Sequence, residues 1–523
     1  MNYPGTGAEP IRIPVGELAS ELTSSKLTGD PNIQLTGISF DSRTTRPGML
    51  FVALRGGSSD GHCFLGEARA AGAVAALVEP DTPDRLVKGY TAVVRVENTR
   101  AALARVAAHW FGYPSDDLIV IGVTGTDGKT STCYLIDAIL TETGISTGAI
   151  NTVGIRQPGK PEARQKIRQT TPESLLIQQH LAGMRDAGAR TVVIEATSHG
   201  LEMHRVDGCR FDIGVVTNVT HEHIDFHGSV ERYRAAKAGL LRRVEDARAH
   251  GKLGACVLNY NDPGTRAIAP AGASSRQIWF SANGNCAADI RASEIETRPD
   301  GCRFTLHTPT GSAAVEMRLA GSWNVANGLA AAGAGHALGL SATENARGLG
   351  ALDAVPGRME QVDLGQPFTI LVDYAHTPDG LRAVLGEARR VARSRVLVLI
   401  GSAGERDIAK RPMLGAAACE LADFAVFTSD DPRFEDPDAI IAMIAAGAEA
   451  AGGCQEVDFT CIEDRREAIT AILDRARPGD VVVLAGKGHE QSQIYDDRLY
   501  PWNDATVARE AQPGAKARLA ESR

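Results

Sequence analysis

Short runs of apolar and β-branched residues recur along the chain, each followed by a helix-length stretch rich in Ala, Leu and Glu. The clearest are LIVIGV (118–123), TVVIEA (191–196), FDIGVVTNV (211–219), TILVDYA (369–375), RVLVLIG (395–401), FAVFTS (424–429) and DVVVLAG (480–486). A continuous apolar run suits a strand covered on both faces, the condition of a parallel sheet with helical crossovers. The runs fall into two series, so two α/β sheets are predicted, divided near the Pro-Gly turn of LDAVPGR (352–358). Ahead of the first series, FGYPSDD (111–117) ends the helical AALARVAAHW segment and sets off a mixed region with its own small motifs. Between the series, 266–318 alternates polar and apolar residues (RFTLHT, AAVEMRL), which predicts an antiparallel extension of the middle sheet. The expected division is 1–114, 115–352 and 353–511, followed by a polar, flexible tail over 512–523.

The length of 523 residues agrees with three domains, at about 150 residues each. A hydrophobic fraction of 43% and a charged fraction of 23% are ordinary globular values. The net charge of −9 is spread rather than blocked, so no nucleic-acid partner is expected, although a local anion site is not excluded. Apolar runs such as VLVLIG (396–401) fall far short of a membrane span, which needs about 18 residues, so no membrane insertion is expected. MNYPGTGAEPIRIP has neither the basic nor the apolar region of a signal peptide. The nine cysteines have no pair closer than Cys454 and Cys461, which argues against a disulfide framework and a CxxC zinc site. A cytoplasmic, monomeric enzyme is expected.

The strongest chemical signal is IVIGVTGTDGKTST (119–132), a strand, a Gly-rich turn and a helix start. Backbone N–H groups of such a turn, with a helix N-terminus behind them, cradle phosphates. Gly125, Thr126, Asp127, Gly128, Lys129, Thr130 and Ser131 are the ATP candidates, with Lys129 on the outer phosphates and the Thr130 hydroxyl on magnesium. Val123 stands where a strict Walker motif has its first glycine. Five histidines cluster at 199, 204, 221, 223 and 227, and His223 and His227 have the i, i+4 spacing of one helical face. With no HExxH and no thiolate nearby, the hard ion demanded by phosphates, Mg2+, is favoured over zinc.

T-G-T-x-G-K-T is the variant found in the Mur ligase family, and the resemblance extends over nearly the whole chain. EATSHGLEMHRV (195–206) resembles the family's E-x-S-S-H-x-L stretch and implies Glu195 as a magnesium ligand. TNVTHEHIDFHG (217–228) implies His223 at a second magnesium, with Glu222 where Asp is usual. ERYRAAKAGLL (231–241) implies Lys237, N-carboxylated in relatives, as a further ligand. The implied catalytic and metal set is thus Lys129, Thr130, Glu195, His223 and Lys237. FDSR (40–43) and RGGSSDGHCF (55–64) resemble the uridine diphosphate elements and imply Phe40, Ser42, Gly57, Ser58 and Ser59; the middle domain adds Thr170, Thr171, Thr197 and Arg205. Asn327 in GSWNVANGLAA, Arg358 in VPGRME, and Asp373 and His376 in DYAHTPDGL are implied for the nucleotide.

Three loops after C-terminal strands resemble those receiving the incoming amino acid: GSAGERDIAKRP with Arg406, SDDPRFEDP with Asp430, Asp431, Pro432 and Arg433, and AGKGHE with Gly486 and Glu490. Arg406 and Arg433 can bind carboxylates, and Asp430 and Glu490 an ammonium. Asp431 replaces the usual Asn, a second carboxylate that either weakens the grip on a distal carboxylate or favours a cationic side chain. The resemblance implies an N-terminal mixed α/β UDP-binding domain, a central P-loop-type ATPase domain with a mainly parallel sheet, and a C-terminal Rossmann-like domain. The implied activity is ATP-dependent amide ligation, with ATP and Mg2+, adding the third stem-peptide residue to UDP-N-acetylmuramoyl-L-alanyl-D-glutamate. Diaminopimelate is favoured, because Arg433 suits a distal carboxylate; L-lysine and L-ornithine are the alternatives. Rival readings are a folylpolyglutamate-synthetase-like ligase and a P-loop NTPase switch.

Overall fold

All seven predicted runs form strands in the computed structural model, which describes residues 11–56, 59–159, 169–220, 222–285, 287–298 and 300–511. Gly57, Ser58, His221 and the tail 512–523 lie outside the described residues. The chain divides into two compact units: one runs to Ala292 and takes in Leu306–Ala313 and Ala326–Gly348, and the other comprises Ser293–Thr305, Ala314–Val325 and the chain from Leu349.

The first unit holds two main sheets. Its N-terminal sheet has the order Lys26–Gly29, Ala92–Arg95, Ala75–Val78, Met49–Val52, Gly37–Ser39, parallel except for the first pair. Leu50, Val52, Leu77 and Val94 pack there against Leu103, Val106 and Trp110 of the helix Thr99–Trp110. In the second sheet, the strands Thr147–Ile150, Thr191–Glu195, Ile119–Thr124, Ile213–Val216, Ala255–Asn259 and Arg276–Ser281 lie side by side and parallel. Val120, Val192 and Ile194 are fully buried, as continuous apolar runs require. Register places Glu195 opposite Val123, and Val216 opposite Thr124, so the turns after these strands gather at one edge.

The antiparallel reading of 266–318 needs correction. Arg276–Ser281 pairs parallel with Ala255–Asn259, and Ile290 and Arg291 pair parallel with Phe280 and Ser281. Alternation reports one exposed face of a strand and is silent on the direction of its neighbour. Ile290–Arg298, Gly301–Thr308 and Gly311–Met317 are successive neighbours in the sheet, each joined to the next by two residues, the hairpin connection that an antiparallel pair allows, so the expectation fails only up to Arg291.

The second unit contains a six-stranded sheet in the order Glu360–Gln361, Thr369–Asp373, Val481–Ala485, Val396–Ile400, Phe424–Phe427, Phe459–Cys461. Only the first pair is antiparallel. The last long strand in sequence, Val481–Ala485, is inserted between the first and second long strands. Its turn therefore emerges between those after Asp373 and Ile400, at the carboxyl edge where doubly wound sheets bind ligands.

Candidate functional site

The phosphate loop is held by contacts the motif itself does not contain. Asn218 accepts from Thr126 N and Asp127 N at 3.1 and 2.9 Å through Oδ1, and the Thr217 hydroxyl donates to Asp127 O at 2.6 Å. Gly128 caps the helix Lys129–Glu142 at φ 79, a left-handed conformation. Its missing side chain also leaves room for Asn327: a Cβ there would lie 2.2 Å from Asn327 Oδ1. The phosphate-loop and adenine candidates of this unit are thus adjacent. Lys129 Nζ donates to Gly125 O at 3.0 Å and Thr126 O at 2.6 Å, coiled over the loop whose phosphates it is expected to meet.

Behind the loop, the Thr130 hydroxyl reaches Glu195 Oε2 at 3.0 Å. Glu195 is buried and also accepts from Thr152 N at 3.0 Å and Thr152 Oγ1 at 2.9 Å. Thr152 Oγ1 lies 3.1 Å from Thr170 Oγ1, and Thr171 Oγ1 donates to Glu195 O at 2.8 Å and lies 3.0 Å from Thr197 Oγ1. Thr130, Glu195, Thr170, Thr171 and Thr197 are therefore one network. Lys237, on the helix Val230–Arg248, is 1% exposed and donates to Gly125 O at 2.5 Å. Burial, assisted by the Lys129 cation, holds its ammonium well below the ordinary lysine range and so favours the neutral amine. Its nitrogen lies 4.6 Å from the centre of the Tyr233 ring, whose hydroxyl is 2.9 Å from Thr126 Oγ1.

The predicted shared helical face of His223 and His227 is not formed. The helix Ile224–His227 is a single turn, and His223 precedes it as a left-handed cap at φ 54. Both histidines instead surround His199, with ring centres 4.6 and 5.7 Å from it, and His223 Nε2 lies 3.6 Å from Glu222.

Arg205 is 7% exposed, and its charge is met by Glu173 at 3.3 Å while it donates to Thr171 O at 3.1 Å. Burial lowers its pKa. Glu173 also binds Arg100 at 2.9 Å, and Arg100 donates to Arg55 O at 2.9 Å, just before the turn that carries Ser59. This relay, absent from the sequence reading, links the N-terminal turn to the Thr171 network. Elsewhere in the N-terminal region, Ser42 donates to Glu67 at 3.0 Å and Phe40 packs on the local core.

In the second unit, buried Asp373 accepts from Met359 N and Ala375 N, each at 2.8 Å, and its pKa is raised by burial. The Arg358 guanidinium lies 4.9 Å from the centre of the Tyr374 ring, which also packs against His376 and His489. Gly357 lies hard against the His489 backbone, where a Cβ would meet its nitrogen at 2.0 Å. Arg358, Asp373 and His376 therefore share one corner with the AGKGHE loop. At that loop, Gly486 abuts Asp430, and Lys487 Nζ binds Asp430, Asp431 and Glu490 at 3.2, 2.8 and 2.7 Å. Lys487 was missed in the sequence, although it is the one cation inside AGKGHE. Burial raises the Glu490 pKa to about 7. Arg433, left-handed at φ 56 after Pro432, has its N–H bound to Ile494 O at 3.0 Å and its guanidinium 3.9 Å from Glu405. Arg406 is exposed on the neighbouring turn.

Three family models match: the Mur ligase family catalytic domain over 34–111, the Mur ligase middle domain over 123–335, and the Mur ligase glutamate ligase domain over 357–488. The UDP-N-acetylmuramyl-tripeptide synthetase of Roseiflexus sp. (strain RS-1) is 43% identical over 490 residues, covering 92% of this chain and 95% of that one. The UDP-N-acetylmuramoyl-L-alanyl-D-glutamate--2,6-diaminopimelate ligase of Streptomyces avermitilis is 42% identical over 515 residues, covering 98% and 99%. A solved structure of a ligase of that same name superposes with a TM-score of 0.65 at 29% identity, covering 97% of this chain and all of that one. Full-length likeness at this level, resting on all three domains, makes the chain a member of the Mur ligase family.

Proposed function

We propose that the chain is an ATP-dependent ligase of peptidoglycan synthesis that joins meso-diaminopimelate to UDP-N-acetylmuramoyl-L-alanyl-D-glutamate. The observation that carries this reading is the meeting of Asp430 and Glu490 on Lys487, with Arg433 in the same loop as Asp430, at the carboxyl edge of the second unit's sheet. An NTPase switch has no use for such a cluster. A diamino acid presents an ammonium for the two acids and a distal carboxylate for the planar arginine fork.

The γ-carboxylate of the D-glutamyl residue attacks the γ-phosphorus of ATP, releasing ADP and leaving an acyl phosphate. The incoming amine then attacks the acyl carbon, the amide forms and inorganic phosphate departs. Lys129 would leave its two loop carbonyls for the phosphates and neutralise their charge. Arg358, Asp373, His376 and Asn327 are assigned to the nucleoside. Thr171, Thr197, Arg205 and the turns of Phe40, Ser42 and Ser59 are assigned to the UDP-sugar dipeptide. The Thr130 hydroxyl and buried Glu195 carboxylate form a hard oxygen donor set that suits Mg2+, with His223 and Lys237 assigned to a second ion. Bound magnesium would neutralise the opposing anions of phosphate and carboxylate. Burial of Lys237 favours its neutral amine, the form that accepts CO2 as a carbamate, which would turn it into an oxygen donor. All substrates are small molecules, which fits a cytoplasmic enzyme, and among the described residues no helix is long and apolar enough to cross a membrane.

The test is phosphate release with the UDP-muramoyl dipeptide, ATP and Mg2+, comparing meso-diaminopimelate, L-lysine and L-ornithine. Turnover with diaminopimelate far above the other two is expected. Preference for lysine or ornithine overturns the choice of amino acid, and silence with all three overturns the ligase reading.

A further inference from the structure

Asp430, Asp431 and Glu490 each bring a carboxylate oxygen to within 4.8 Å of the others, a spacing that could hold a metal ion. The place is taken by the chain's own cation. Lys487 is fully buried, and its three partners match the three N–H donors of an ammonium. Asp431 Oδ1 is doubly engaged: besides Lys487 it accepts from Ile494 N at 3.0 Å, while Ile494 O accepts from Arg433 N at 3.0 Å. The Ile494 peptide is therefore clamped from both sides, by the Asp431 side chain and by the Arg433 backbone. An extra negative charge at 431 is balanced from inside the protein. It also braces the segment on which Arg433 is mounted.

We propose that Lys487 is a positioning residue of the amino-acid pocket, holding Asp430 and Glu490 as an ammonium-binding pair and neutralising Asp431, which serves as a structural counter-ion and does not read the distal end of the diamino acid. This deepens the ligase reading above and rests on it for the identity of the ligand. The Asp-for-Asn change in SDDPR then has no bearing on the choice between diaminopimelate and lysine. Removing the Lys487 cation leaves three buried or half-buried carboxylates facing one another, and the pocket opens or takes up protons.

The experiment uses the full chain with Asp431→Asn, Lys487→Met and the double variant. Asp431→Asn is expected to keep the ratio of kcat/KM for diaminopimelate over lysine within about threefold of wild type. Lys487→Met is expected to raise KM for the diamino acid about tenfold or more, with KM for ATP within about threefold. A ratio shifted tenfold or more by Asp431→Asn, or KM values for ATP and diamino acid rising together, overturns the inference. Thermal unfolding without substrate decides the pairing separately: Lys487→Met should lower Tm less in the Asp431→Asn background than in wild type. Equal losses overturn the pairing even if no amino acid is turned over, the result that would sink the ligase reading alone. If Lys487→Met does not fold, the ratio measured on Asp431→Asn still decides.

Discussion

Arg465→Met tests the framework beneath the loops proposed to receive the diamino acid. Arg465 and Asp504 are both fully buried and joined by two bonds, Nε to Oδ1 at 2.9 Å and Nη2 to Oδ2 at 2.7 Å. The same guanidinium donates to Ala485 O at 2.8 Å and Ser429 O at 3.3 Å, the residues next to Gly486 and Asp430. After substitution Asp504 keeps the Trp502 indole N–H at 2.7 Å but loses its counter-charge. Breaking one side of a buried pair costs about 3–5 kcal/mol, most of it the uncompensated charge left behind. With a urea slope of about 2 kcal/mol/M, the unfolding midpoint of the second unit should fall by about 1.5–2.5 M. Tryptophan fluorescence reports it, since Trp502 sits on the pair. Arg465→Met with Asp504→Leu should recover most of the loss, because the stranded charge is gone. In buffer, the single variant should raise KM for the diamino acid and leave that for the UDP-sugar substrate unmoved. A loss under about 1 kcal/mol, or a double variant no better than the single, would refute the reasoning.

Gly128→Ala forces a side chain into a left-handed position 2.2 Å from Asn327 Oδ1. The conformational strain is about 1–2 kcal/mol before any clash, so calorimetry should show ATP binding weakened about tenfold or more, and unchanged affinity would refute the placement. Glu490, with its pKa raised by burial to about 7, must be ionised to hold an ammonium, so KM for the diamino acid should rise as pH falls through about 7. Glu490→Gln should abolish that limb, and a limb that persists would assign it elsewhere. The same upward shift sets the sign for stability: the contribution of Glu490 is complete below 4.5 and lost as pH rises through about 7.

What is contiguous along the chain is legible in its order of residues. The strand Ile119–Thr124, its turn and the helix Lys129–Glu142 were readable because one uninterrupted segment carries the apolar run, the glycines and the lysine. The buried strands of both sheets were readable for the same reason, since burial on two faces leaves its mark on every residue of a run. The motifs also marked candidate site residues, among them Glu195, Lys237 and Glu490. Tertiary structure alone decided which groups meet. Thr130 with Glu195, Glu173 with Arg205 and Arg100, Lys487 with Asp430 and Asp431, and Arg465 with Asp504 are separated by tens of residues. Strand order and register bring them together, and periodicity carries no record of either. His223 illustrates the limit within a single turn: its spacing to His227 fits a helix, but the backbone takes a left-handed cap and turns both rings around His199. Asp431 illustrates it for charge. In sequence it is a second negative group beside Arg433, and only the fold supplies the buried lysine that balances it.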